Sequence, residues 1–200
     1  MTAPTNDTKL EVLNDHYKET YNNLQEFRKL RERLMAFIIA TIALMSFQVF
    51  SPTQAGNAIG QFVASQLDLQ SSIDTSFLGS IIWFCLLAFV VRYFQTVIHI
   101  ERQYDYLHNL ENLLSKHYDG NAFTREGKSY LKKYPLFSNW AHFLYTTIFP
   151  ALLIIVVVIK TANEIKIVSH VSALLIFNSL IALFILVSIV LYLMLIHFKK

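Results

Sequence analysis

Four long apolar runs decide what this chain of 200 residues can fold into. Residues 34–50 carry no charge and one amide, Gln48. Residues 77–100 carry a single charge, Arg92. Residues 143–159 are uncharged, with Pro150 near the middle, and residues 171–198 are uncharged, with Asn178 near the start. Runs of roughly 17–25 apolar residues are long enough to cross the hydrocarbon of a bilayer. Lipid offers the backbone no hydrogen bonds, so only helices or closed barrels cross it. Barrel strands alternate apolar and polar residues, and these runs do not. The composition is 54% hydrophobic, only modestly above the ~45–50% of soluble domains. The concentration of that excess into four blocks therefore carries the argument.

The expected architecture is all-α: a bundle of four transmembrane helices at 34–50, 77–100, 140–159 and 171–198. The first run follows 33 mostly polar residues, which a signal peptide does not; an uncleaved span is expected. Lys and Arg set the orientation. Residues 1–33 hold Lys9, Lys18, Arg28, Lys29, Arg31 and Arg33, and residues 101–139 hold Arg102, Lys116, Arg125, Lys128, Lys132 and Lys133. Residues 51–76 hold none. Loops 51–76 and 160–170 are thus expected outside, and both termini, including the 199–200 tail, in the cytoplasm of a cell with this protein in its inner (plasma) membrane. The net charge of +3 reflects this bias, with contact to anionic lipid, and no nucleic-acid binding is expected.

The segments flanking the first two spans are amphipathic. Leu10, Leu13, Tyr17, Tyr21, Leu24, Phe27 and Leu30 recur at steps of three and four, as do Tyr93, Val97, Ile100, Tyr104, Leu107, Leu110, Leu114 and Tyr118. That spacing marks one face of a helix. No proline falls between Pro4 and Pro52, and Asp119-Gly120-Asn121 supplies the next stop. Residues 8–33 and 93–118 would each extend about 39 Å. Equal lengths, opposite directions and a stripe apiece predict an antiparallel cytoplasmic stalk; stripes lying on the headgroups are the alternative. In the outer loop, Ala58, Ile59, Phe62, Val63 and Leu67 predict a short helix on the outer leaflet.

Residues 123–134 read as a short helix stopped by Pro135. Arg125, Lys128, Lys132 and Lys133, with Tyr130, Tyr134 and Trp140, make this segment the candidate surface for lipid or a partner protein. Arg92 either snorkels to headgroups or lines a constriction in an oligomer, and Asn178 offers a hydrogen bond to another helix. With Ser179, Ala182 and Ser188 beside it, it predicts a homo-oligomer.

Catalytic chemistry is not expected. Residues 122–129 approach a phosphate-binding loop, with Ala122 in place of its first glycine. Such loops join a strand to a helix, and no strand precedes this one. His99, His108 and His117 recur every nine residues, so neighbours in the series face opposite ways on a helix. The one cysteine, Cys85, has no partner. No metal, cofactor or enzyme activity is expected.

In the layout of its four spans and helical stalk the chain resembles the small membrane components of bacterial antiviral defence systems, such as the membrane subunit of the Kiwa system. The likeness covers the whole architecture and rests on no short motif, so it assigns no residues. It implies a sensor, anchor or effector subunit working with a cytoplasmic partner. A pore-forming effector or ion channel is the alternative.

The topology is testable. With Cys85 replaced by Ser, single cysteines placed at Ser65 and Asn163 should react with impermeant reagent from outside. Reaction from the cytoplasmic side alone would contradict it.

Overall fold

The computed structural model describes residues 6–67, 75–116, 137, 140, 143–167 and 172–198. They form five α-helices: α1 (Asn6–Phe50), α2 (Pro52–Leu67), α3 (Thr75–Ser115), α4 (Phe149–Ile167) and α5 (Ala173–Phe198), with a π-helical turn, Leu144–Ile148, leading into α4. No strand occurs among the described residues.

Local chemistry sets the helix boundaries. Ser51 separates α1 from α2: its N–H donates to the Phe47 carbonyl (2.9 Å), and its own carbonyl accepts from Ala55 (2.9 Å). Pro52 follows at the first position of α2, where its missing N–H costs nothing. Ser172 caps α5, its hydroxyl accepting the Leu175 N–H at 3.1 Å. Pro150, near the middle of the third apolar run, follows a widened turn. The Phe149 N–H reaches back five residues to the Leu144 carbonyl. That π geometry makes room for the proline ring, which clashes with the carbonyl four residues before it in a regular α-helix.

The helix after the third apolar run continues to Ile167. Residues 160–167, assigned above to an external loop because hydropathy drops at Lys160, are helical. The short helix expected at 123–134 and the stop at 119–121 lie outside the described residues. The helix expected in loop 51–76 is α2.

The chain divides into two compact units. The first comprises residues 1–33 and 95–141, and the second residues 34–94 and 142–200. In the first unit, Leu24, Ile100 and Leu107 form a buried core, flanked by Tyr17, Tyr21, Phe27 and Tyr104. The contacts run in opposite sense along the two segments. His16 Nε2 lies 2.6 Å from the Tyr106 hydroxyl, Tyr17 donates to Glu111 Oε1 at 3.3 Å, and Phe27 packs on His99 with ring centroids 4.1 Å apart. Leu24, Ile100, Leu107, Tyr17, Tyr21, Phe27 and Tyr104 belong to the predicted stripes, whereas His16, His99, Tyr106 and Glu111 do not.

In the second unit, Leu34, Ile38, Thr41 and Met45 of α1 are buried, as are Trp83, Leu86 and Val90 of α3, Leu153 and Val157 of α4, and Ile181, Ile185 and Ile189 of α5. Aromatic contacts join the helices: Phe37 with Phe89, Tyr93 with Phe149, and Phe94 stacked on Tyr192. The opposite faces are apolar and open. Phe184, Leu191 and Met194 on α5 are each more than half exposed, as are Leu152, Ile155 and Val158 on α4. Four helices are long and apolar enough to cross a membrane. Water tolerates no apolar surface of that extent, since soluble proteins rarely expose patches beyond a few hundred Å².

Truncating Leu107, which is 1% exposed, to alanine should cost the first unit about 2–5 kcal/mol. Hydrogen exchange of the detergent-solubilised protein should accelerate at residues 20–28 and 98–110 while residues 36–48 keep their protection. Unchanged exchange in the first two stretches would contradict the buried core.

Candidate functional site

The second unit contains a cluster of polar side chains contributed by four helices. Lys160 and Glu164 stand one turn apart on α4, and helical spacing at i, i+4 brings their side chains together. Lys160 Nζ lies 3.3 Å from Glu164 Oε1, with the two side chains 9% and 19% exposed. Lys160 also donates to Gln48 Oε1 of α1 at 3.2 Å. The Trp83 indole of α3 donates to Glu164 Oε1 at 2.9 Å. Asn178 Nδ2 of α5 donates to Glu164 Oε2 at 3.1 Å.

Glu164 is therefore the hub, a carboxylate accepting from three donors on three helices. Its acceptor-only chemistry orients the Asn178 amide, because only the nitrogen can face it. That leaves Asn178 Oδ1 buried without a hydrogen-bond partner. The ammonium of Lys160 and the carboxylate of Glu164 offset each other's charge, and donors from the neighbouring helices complete the carboxylate's shell. Burying either ion alone would cost several kcal/mol.

The position of the cluster follows from the helix register. Gln48 is in the last turn of α1, Trp83 lies in the third turn of α3, Glu164 precedes the end of α4 by three residues, and Asn178 follows the start of α5 by five. The polar groups thus gather toward one end of the apolar helices. No hydroxyl or thiol nucleophile pairs with a base there, and among the described residues no group of three His, Cys, Asp or Glu could hold a metal.

The sequence-predicted residues fall differently. Arg125, Lys128, Tyr130, Lys132, Lys133 and Tyr134 lie outside the described residues. Trp140 is helical and 53% exposed. Arg92 is exposed on α3. Asn178 is buried, and its amide is bonded to Glu164 of its own chain. The residues that sequence reasoning missed are Gln48, Trp83, Lys160 and Glu164. The signal for two of them was present: opposite charges four residues apart, directly after an apolar run.

Removing the hub should be worse than removing the ion pair. Glu164→Ala leaves the Trp83 and Asn178 donors unsatisfied and the Lys160 ammonium with Gln48 alone, and should cost about 3–5 kcal/mol. The double variant Lys160→Met/Glu164→Leu replaces both charges by apolar groups of similar size and should recover much of that loss. Thermal unfolding in detergent, followed by tryptophan fluorescence, reads both. A double variant less stable than Glu164→Ala would contradict the pairing. No protein-family model, curated protein or solved structure matches the chain.

Proposed function

We propose that this chain is a non-enzymatic anchor or sensor subunit of the inner membrane, built as a four-span bundle whose cytoplasmic helical stalk recruits or regulates a soluble partner. The observation that carries the reading is the shared helices. α1 and α3 each supply residues to both compact units. The Leu24–Ile100–Leu107 core is built from these same two helices. Transmission through packed, continuous elements of this kind couples distant sites when the packing has two arrangements.

The polar cluster supports an anchor over a pore. A pore built on these charges would need them to face water and remain open to ions. Lys160 and Glu164 instead face each other and three neighbouring helices. The remaining apolar faces of α4 and α5 suit lipid. Basic and aromatic residues of segment 123–140, Arg125, Lys128, Lys132 and Lys133 with Tyr130, Tyr134 and Trp140, supply the partner surface in this proposal. Basic residues speed the encounter, and aromatic ones carry binding energy. A homo-oligomer gathers several such surfaces. Bacterial antiviral defence is the setting proposed, from the architectural resemblance alone.

Two readouts separate anchor from channel. The purified protein, reconstituted into sealed liposomes, should leave an ion gradient intact, and in native mass spectrometry it should carry more than one copy. Rapid collapse of the gradient would replace the anchor with the pore, and a strictly single copy would remove the oligomer.

A further inference from the structure

The last two turns of α1 before its apolar run carry unusual charge. Residues 28–33 hold Arg28, Lys29, Arg31 and Arg33 against one acid, Glu32. Arg31 is half-buried, and its Nη2 lies 3.9 Å from Glu32; Glu32 is itself exposed beside the basic residues and offsets one of their charges. Lys29 and Arg33 are fully on the exposed side, and Arg28 is partly exposed. None of these three has a carboxylate partner among the described residues.

Their spacing matches the thickness of a headgroup layer. Lys29 and Arg33 stand four residues apart and so share one helix face. Leu34, where the uncharged run begins, follows Arg33 directly. At 1.5 Å per residue the two basic side chains leave α1 within roughly 8 Å of that edge. The polar headgroup region adds roughly 5–7 Å on each side of the hydrocarbon. An exposed guanidinium and ammonium at that depth meet phosphates, and a guanidinium can bind two phosphate oxygens at once. Glu26 shares the exposed face but stands two turns from Leu34, beyond that layer.

We propose that Lys29 and Arg33, with Arg28 beside them, form a binding ridge for the headgroup of an anionic phospholipid, giving the protein a lipid preference and not only an orientation. The inference rests on the reading that α1 crosses a membrane. It goes beyond that reading, because orientation needs only the number of basic residues, whereas a ridge needs them unpaired on one face. Each basic residue held at a membrane surface is worth about fivefold in affinity for anionic lipid.

The test uses the full chain in nanodiscs of phosphatidylcholine with phosphatidylglycerol, released for native mass spectrometry. The wild type should retain phosphatidylglycerol several-fold more than phosphatidylcholine. Lys29→Gln/Arg33→Gln should lose most of that preference. Lys9→Gln/Lys18→Gln, which removes equal charge farther along α1, should keep it, and so should Lys29→Arg/Arg33→Lys. No preference in the wild type, or equal loss in the Lys9/Lys18 variant, would overturn the ridge while leaving the spans untouched. Failure of the wild type to enter nanodiscs would overturn both the ridge and the membrane reading beneath it.

Discussion

A backbone amide in hydrocarbon has no water to bond, and the chain must satisfy it internally. From that constraint the rest of this structure follows. Among the described residues the apolar stretches are helical, α1 gives way to α2 at Ser51 and Pro52, and Ser172 caps the start of α5. Inside-out burial follows too. Large apolar side chains such as Phe184 and Leu191 remain open, because lipid is as good a neighbour for them as protein. Association of such helices needs another driving force than the hydrophobic effect, namely close packing and interhelical hydrogen bonds.

The Glu164 cluster supplies the second of these. An interhelical hydrogen bond in a membrane protein contributes about 0.6 kcal/mol on average, so three single bonds would be a weak tether. The ion pair changes the balance through its penalty. A helix arrangement that parts α4 from Gln48, Trp83 and Asn178 leaves the Lys160–Glu164 pair in a poor solvent without the donors and acceptor that complete it. The cluster contributes less as attraction than as exclusion of alternative registers. Its four helices are held to the one arrangement in which Gln48, Trp83 and Asn178 converge on Lys160 and Glu164. The aromatic contacts of Tyr93 with Phe149 and Phe94 with Tyr192 add close packing farther along.

Helical character and the four apolar blocks were legible because they depend on local composition and on the absence of proline. The stripes with Leu24 and Leu107 were legible for the same reason, since a 3.6-residue period is a property of one segment. The polar cluster was not. Its members come from helices far apart in sequence, and each reads alone as something ordinary: an amide at a helix end, an interfacial tryptophan, two loop charges. A hydropathy boundary stops at the first charge, so Lys160 ended the third span on paper while the α4 backbone continued to Ile167. The charges of a pair four residues apart compensate each other, which a residue-by-residue sum does not register. Asn178 was read from the sequence as a hydrogen bond to another helix and a mark of an oligomer; its amide bonds Glu164 of the same chain, a partner on which the sequence held no information.

The central claim is that the open apolar faces are lipid-facing. Spin labels scanned one at a time along α5 of the reconstituted protein test it most directly, by comparing collision with oxygen, which partitions into lipid, and with a water-soluble nickel chelate. Labels at Leu183, Phe184, Val187 and Leu191 should collide with oxygen and not with nickel, whereas labels at Ile181, Ile185 and Ile189, which are buried, should be shielded from both. Free access of nickel to Phe184 and Leu191 would place α5 in water and contradict the account.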